Sequence, residues 1–176
     1  MTPDFKKQLS QYLDVIVQER INLLDYAYRN KITVYKNDKL DKGWKGNVIE
    51  HLLNIPKNSN RGSDYGFLEV KTVPVYFSAD GELKIKETTC LNIISPDEVL
   101  NKEFQDSSLY KKIQQTVFIF ISIQNENHPY VQFYKFMDME SIPELKEHFR
   151  KDYQVLAEHI ASNIADGLPL DTHFSG

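Results

Sequence analysis

Thr116-Val117-Phe118-Ile119-Phe120-Ile121-Ser122-Ile123 is almost wholly apolar and rich in β-branched and aromatic residues. That composition predicts a central strand buried on both faces, which requires helices on both sides of a sheet. Downstream, Asn125 to Pro129 reads as a turn and Tyr130 to Phe136 alternates as a neighbouring strand. Pro143 then opens a long helix that is expected to stop near Asp166-Gly167, with proline at the start and glycine at the end. Upstream, residues 97 to 115 read as mostly helical. Before them lies a hairpin: one arm from Phe67 to Phe77, a turn at Ser78-Ala79-Asp80-Gly81, and a return arm from Leu83 to Ile94. Pro74 either interrupts the first arm or places it at an edge.

Nearer the N-terminus, Leu9, Leu13, Val15, Ile16, Ile21, Leu24 and Tyr28 recur at a helical period, predicting helix over residues 3 to 29. Lys31 to Lys39 reads as a polar connector with a short extended piece at Ile32 to Tyr35. Val48, Ile49, Leu52 and Leu53 predict a helix behind Gly43 and Gly46, and Pro56 to Gly62 a polar loop. The element order describes an α/β domain with a mixed central sheet flanked by helices.

The chain has 176 residues and a mass of 20.6 kDa, the size of one domain able to bury roughly two thirds of its unfolded surface. A single domain is expected over residues 1–166, with residues 167–176 an open end. No apolar run approaches a membrane span, and the first residues lack the layout of a secretion signal. Cys90 is the single cysteine, so an internal disulfide is excluded. A reducing cytoplasm is the expected setting, with Cys90 a small buried residue. The formal charge of −4 argues against a protein that coats nucleic acid nonspecifically, but not against an enzyme acting on it. The five histidines, at positions 51, 128, 148, 159 and 173, show no zinc-site spacing.

Asp64-Tyr65-Gly66-Phe67-Leu68-Glu69-Val70-Lys71 carries the chemistry. If a strand runs from Phe67 to Thr72, Glu69 and Lys71 project from one face, and Asp64 can reach the same point. Two carboxylates and an ammonium suit metal-dependent phosphodiester hydrolysis: oxygens for a hard divalent cation, and a lysine facing the attacking water or the phosphate. Taken alone, the motif is better read as a solvated cross-strand charge pair of Glu69 and Lys71.

Three pieces in order widen the pattern. They are Asp41-Lys42-Gly43-Trp44-x-Gly46 with Glu50 four residues later; Asp64, Glu69, Lys71, Thr72 and Pro74; and Glu87-Thr88-Thr89 followed by Asp106-Ser107-Ser108 before a basic helix and a buried strand. Over roughly residues 38 to 165 the chain resembles the MutH family, which comprises a mismatch-repair endonuclease and related restriction endonucleases acting at GATC. The resemblance implies a restriction-endonuclease-like fold and Mg²⁺-dependent DNA cleavage at GATC-like sites, in restriction or in mismatch-repair nicking. A bacterial or phage-encoded context follows. Double-stranded DNA is the implied partner, with a second nuclease domain or a repair activator protein as further partners.

Position by position, the resemblance makes Asp64 and Glu69 the metal ligands, with the Val70 carbonyl a third oxygen. Glu50 would hold water on the metal or bind a second ion, and Lys71 would stabilise the nucleophile or the phosphate charge. The family's further lysine falls at Lys111 or Lys112, with Lys112 favoured because Ile113 then takes the apolar position. Lys45, Arg61, Lys111 and Lys112 are the expected phosphate contacts, Trp44 a packing anchor, and Glu87 either structural or a neighbour of the metal. Ser63 stands where the family often has proline, and the spacing from Asp64 to Glu69 is shorter than in the mismatch-repair enzyme. The family's base-recognition segment would begin where residues 167–176 lie. A module that kept the fold and binds DNA without cutting it is the alternative from another functional class.

Overall fold

A computed structural model describes residues 1–55, 63–92 and 94–167. The loop expected at Pro56 to Gly62 and nearly all of the C-terminal end lie outside the described residues. The chain begins with helix α1 (Pro3–Glu19), capped by Thr2, and helix α2 (Leu23–Arg29). The single helix expected over residues 3 to 29 is therefore two. Arg20 turns left-handed at φ 47°, and Asn22 caps α2 by accepting from the Leu24 N–H at 3.0 Å. Contacts far along the chain fix the break: Asn22 donates to the Asn127 carbonyl, and Leu23 N–H to that of Pro129. A small hairpin follows, β1 (Tyr35–Lys36) and β2 (Lys39–Leu40), where a connector with a short extended piece at Ile32 to Tyr35 was expected. Asn37 and Asp38 both have positive φ, the turn that suits two-residue hairpins. Helix α3 (Trp44–Leu52) comes next.

The main sheet contains β3 (Glu69–Phe77), β4 (Leu83–Ile85), β5 (Gln115–Ser122) and β6 (Tyr130–Asp138) in the order β4-β3-β5-β6. β3 and β5 run parallel, and the outer pairs are antiparallel. The sheet is mixed, as expected. Between β4 and β5 the chain forms α4 (Pro96–Asn101), a 3₁₀ turn at Phe104–Asp106 and α5 (Ser108–Ile113). The continuous helix expected over residues 97 to 115 is broken because Phe104 plugs a core and Ser107, fully buried, caps α5 through Tyr110 N–H. Helix α6 (Pro143–Ala165) closes the fold, and Gly167 stops it at φ 66°.

Two cores flank the sheet. Val117, Ile119 and Ile121 share one face of β5 and pack with Leu68 and Val131 against α1, α2 and α3. Val99, Phe104, Leu109, Ile113, Met139, Tyr153 and Ile160 bind α4, α5 and α6 into the second. Trp44, 3% exposed, belongs to the first core and serves as a packing anchor.

The return arm expected from Leu83 to Ile94 is strand only as far as Ile85. Val75 pairs with Ile85, so Lys86 comes opposite Pro74, and Lys86 N–H donates to the Pro74 carbonyl. Proline has no N–H to return that bond, so the ladder stops there. β3 itself continues through Pro74, because the missing donor faces the β4 side and costs nothing in the pairing with β5. The edge of β3 from Glu69 to Val73 is thereby left without a strand partner.

Candidate active site

At that unpaired edge an open cleft of ≈660 Å³ lies between α3, β3 and the return arm. Lys42, Gly43, Lys45, Gly46, Asn47 and Glu50 line one wall, Val70, Lys71, Thr72 and Pro74 the floor, and Glu87 to Cys90 the other wall. Gly46 faces the strand across the cleft: a Cβ there would meet Thr72 Oγ1 at 3.8 Å, an ordinary contact. Glu50 points along this wall and is itself engaged in an interaction within the protein.

Asp64 enters from the turn before β3. That turn is closed by Gly66 N–H to the Ser63 carbonyl and Tyr65 N–H to that of Leu68, with Gly66 at φ 76°. An Asp64 oxygen accepts from the Val70 N–H at 2.7 Å, which pins the acidic turn against the start of the strand. Glu69 is the unusual group. It is a carboxylate only 2% exposed. Its Oε1 meets Lys71 Nζ at 2.8 Å and Lys112 Nζ at 3.5 Å, while its Oε2 is buried with no hydrogen-bond partner among the described residues. Burial pushes the Glu69 carboxyl above its ordinary pKa. The Lys71 hydrogen bond and charge oppose that rise, the neighbouring Asp64 adds to it, and Lys112 opposes it.

Strand alternation puts Glu69 and Lys71 on one face, and the last turn of α5 brings Lys112 over it. Lys111, its neighbour, is exposed. Lys45 is half-buried with Nζ 5.0 Å from the Trp44 ring. Burial pushes the Lys45 pKa down and Lys86 pushes the same way, against Glu87 and Glu126. Arg61 lies outside the described residues. Cys90 corrects the expectation of a buried thiol: it is exposed on the cleft wall, because the arm leaves the sheet after Ile85 and carries Thr88, Thr89 and Cys90 past Thr72. The wall residues Asn47, Thr88 and Thr89 had no site role in the sequence reading, although Glu87-Thr88-Thr89 was among the pieces that carried the resemblance.

Among the described residues, no three His, Cys, Asp or Glu side chains form a ready-made metal cluster. The Asp64 charge lies near enough to Glu69 to add to the rise of its pKa, a smaller effect than burial. No helix in the described residues is long and apolar enough to cross a membrane.

The chain is 32% identical over 110 residues to the DNA mismatch repair protein MutH of Shewanella sp. (strain MR-4), and 30% identical over 110 residues to that of Shewanella oneidensis. Each alignment covers 61% of this chain and 47% of the relative, so the chain spans about half the length of these curated proteins. The MutH of Shewanella baltica (strain OS155) is 27% identical over the same length. The family described as "DNA mismatch repair enzyme MutH" matches residues 53–152, which include Asp64, Glu69, Lys71 and Lys112 but begin after Glu50. A match over more than half of the chain, containing the strand and the short helix that gather the buried Glu69 and its two lysines, shows that this chain belongs to the MutH family and has its restriction-endonuclease-like fold.

Proposed function

We propose that this chain is the catalytic core of a Mg²⁺-dependent DNA endonuclease that hydrolyses phosphodiester bonds at GATC-like sites, in restriction or mismatch-repair nicking. The observation that carries this reading is Glu69: a buried carboxylate with one oxygen held by two lysines and the other without a hydrogen-bond partner among the described residues, beside a second carboxylate. A group so placed is poorly explained by stability alone, because an orphaned buried oxygen is costly. It fits a hard cation with oxygen ligands. Asp64, Glu69 and the Val70 carbonyl would hold it, and Glu50 would hold water beside it or a second ion. So small a protein-derived donor set suits Mg²⁺, which keeps several of its waters. When bound, Mg²⁺ supplies charge neutralisation at the phosphate and lowers the pKa of water.

The chain's own groups account for the remainder. Lys71 orients the attacking water or takes the charge that builds on the phosphate oxygens, and Lys112 adds a second cation to the same point. The Val70 N–H fixes the Asp64 carboxylate, so little reorganisation is needed when substrate arrives. Lys42 and Lys45 on one wall offer phosphate contacts along the cleft.

The test is incubation of the protein with plasmid DNA and Mg²⁺, followed by methylated, hemimethylated and unmethylated GATC duplexes. Nicking that is lost in Asp64→Ala and Glu69→Ala supports the proposal. Absence of cleavage with any divalent metal would leave a DNA-binding module that does not cut, and cleavage that survives Asp64→Ala would show the site to be elsewhere.

A further inference from the structure

Glu98 lies outside the cleft, and its carboxylate, 11% exposed, is held by several partners. Its Oε1 accepts from the Ser108 backbone N–H at 2.6 Å and its Oε2 from the Ser108 hydroxyl at 2.5 Å. Lys102 adds a contact at 3.3 Å. The Ser108 hydroxyl in turn accepts from Asn92 Nδ2 at 3.2 Å. One serine thus joins α4, α5 and the return arm. On the far side, the Glu98 carbonyl accepts from the Tyr153 hydroxyl, which fastens the same point to α6.

The two ends of this node lead into the cleft. Ser108 is the first residue of α5, and Lys112 is four residues on, so the two share one side of the helix. A rotation or shift of α5 that loosens Ser108 carries Lys112 with it. α5 has six residues, too few to hold its own shape without anchors. An anionic group on an otherwise unpaired N–H at its start is a favourable anchor. In the other direction, Asn92 lies two residues beyond Cys90, which lines the opposite wall of the cleft.

We infer that Glu98 is a positioning residue of the active site: by gripping Ser108 it sets the helix that holds Lys112 against Glu69, and through Asn92 it steadies the wall that carries Thr89 and Cys90. Its activity arm rests on the endonuclease reading, whereas its structural arm does not.

The structural arm is competitive acylation of lysines followed by mass spectrometry, on Glu98→Ala, Glu98→Gln and Val99→Ala. Val99 is a buried neighbour on α4 whose apolar side chain can make no hydrogen bond to Ser108, so it reports loosened packing of the second core with the Glu98 grip intact. The labelling of Lys112 relative to exposed Lys111 is expected to rise in Glu98→Ala until the two react alike. It should stay near the parent ratio in Val99→Ala and be largely restored in Glu98→Gln, whose amide oxygen can still accept from Ser108 N–H. An unchanged ratio in Glu98→Ala, or an equal rise in Val99→Ala, would overturn the inference. In the activity arm, Glu98→Ala should slow single-turnover nicking by on the order of 100-fold, the scale of a misplaced catalytic group, with DNA affinity unchanged. In a Lys112→Ala background the same change should cost far less, only what passes through Asn92 and the wall, and full additivity there would refute the proposed route. If the parent protein does not nick, the endonuclease reading fails while the labelling still decides the placement.

Discussion

Neutralising Glu69 should make the metal-free protein more stable, not less. The ion pairs alone argue the opposite: at 2.8 and 3.5 Å, with an effective dielectric of about 20, Lys71 and Lys112 attract the carboxylate by about 6 and about 5 kcal/mol. Against them stand the desolvation of a carboxylate whose side chain is 3% exposed, an oxygen without a partner, and the repulsion of Asp64. The raised pKa says that the second set prevails. The two sides also recover differently. The lysine side chains, 19% and 20% exposed, regain water once the carboxylate is gone, whereas Glu69 cannot regain it while folded. Glu69→Gln keeps an oxygen for Lys71 and removes the charge. The expected gain is on the order of 1 kcal/mol, read as a rise in Tm of about 2–4 °C by thermal denaturation in chelator. With Mg²⁺ at about 100 times its Kd the order should reverse, since the parent gains about 2.7 kcal/mol from binding and the variant little. The pH dependence has a definite sign. A carboxyl with a raised folded-state pKa contributes stability in its protonated form, fully present below the unfolded value and lost as pH rises through the folded one. The advantage of Glu69→Gln should therefore shrink as the medium is acidified from neutral towards the ordinary carboxylate range. A loss of about 3–5 kcal/mol in chelator would mean that the pair is net stabilising, and the view of Glu69 as a ligand kept waiting at a cost would be abandoned.

Other perturbations separate neighbours that look alike in sequence. Lys112→Ala should reduce nicking by about 10²-fold or more, while Lys111→Ala, on the exposed side of α5, should change salt-dependent DNA binding and little else; equal effects on rate would remove Lys112 from the site. Ile119→Ala, fully buried between β5 and the helices α1 to α3, should cost about 2–5 kcal/mol by denaturant unfolding, and a cost under about 1 kcal/mol would contradict the close packing described for that face. Cys90 should react with a thiol reagent in the native protein and be protected by bound duplex DNA, whereas reaction only after unfolding would place it in the interior.

What could be read in the sequence was what depends on local periodicity. Thr116 to Ile123 needed only its composition to be placed at the centre of the sheet, and Glu69 and Lys71 needed only the two-residue alternation of a strand to be put on one face. Lys112 came from the family resemblance, and the apolar position of Ile113 only favoured it over Lys111. The failures have a common cause. Asn22 and Leu23 hold the break in the first helix through bonds to Asn127 and Pro129, more than a hundred residues away. Ser107 breaks the helix after Pro96 because Phe104 is drawn into a core formed with α6. Cys90 sits in an apolar-looking context, and its exposure follows from where the β3–β4 ladder ends. Glu98 gives no sign in sequence of its hold on Ser108, ten residues on.

Pro74 adds no charge to the floor of the cleft, yet its absent N–H decides how far the hairpin can zip. Were the residue able to donate, Lys86 and its followers could continue along β3 as an unbroken ribbon, and the edge from Glu69 to Val73 would be sealed by backbone. The doorway to the lysines and carboxylates is kept open by a single amide hydrogen that the chain does not possess.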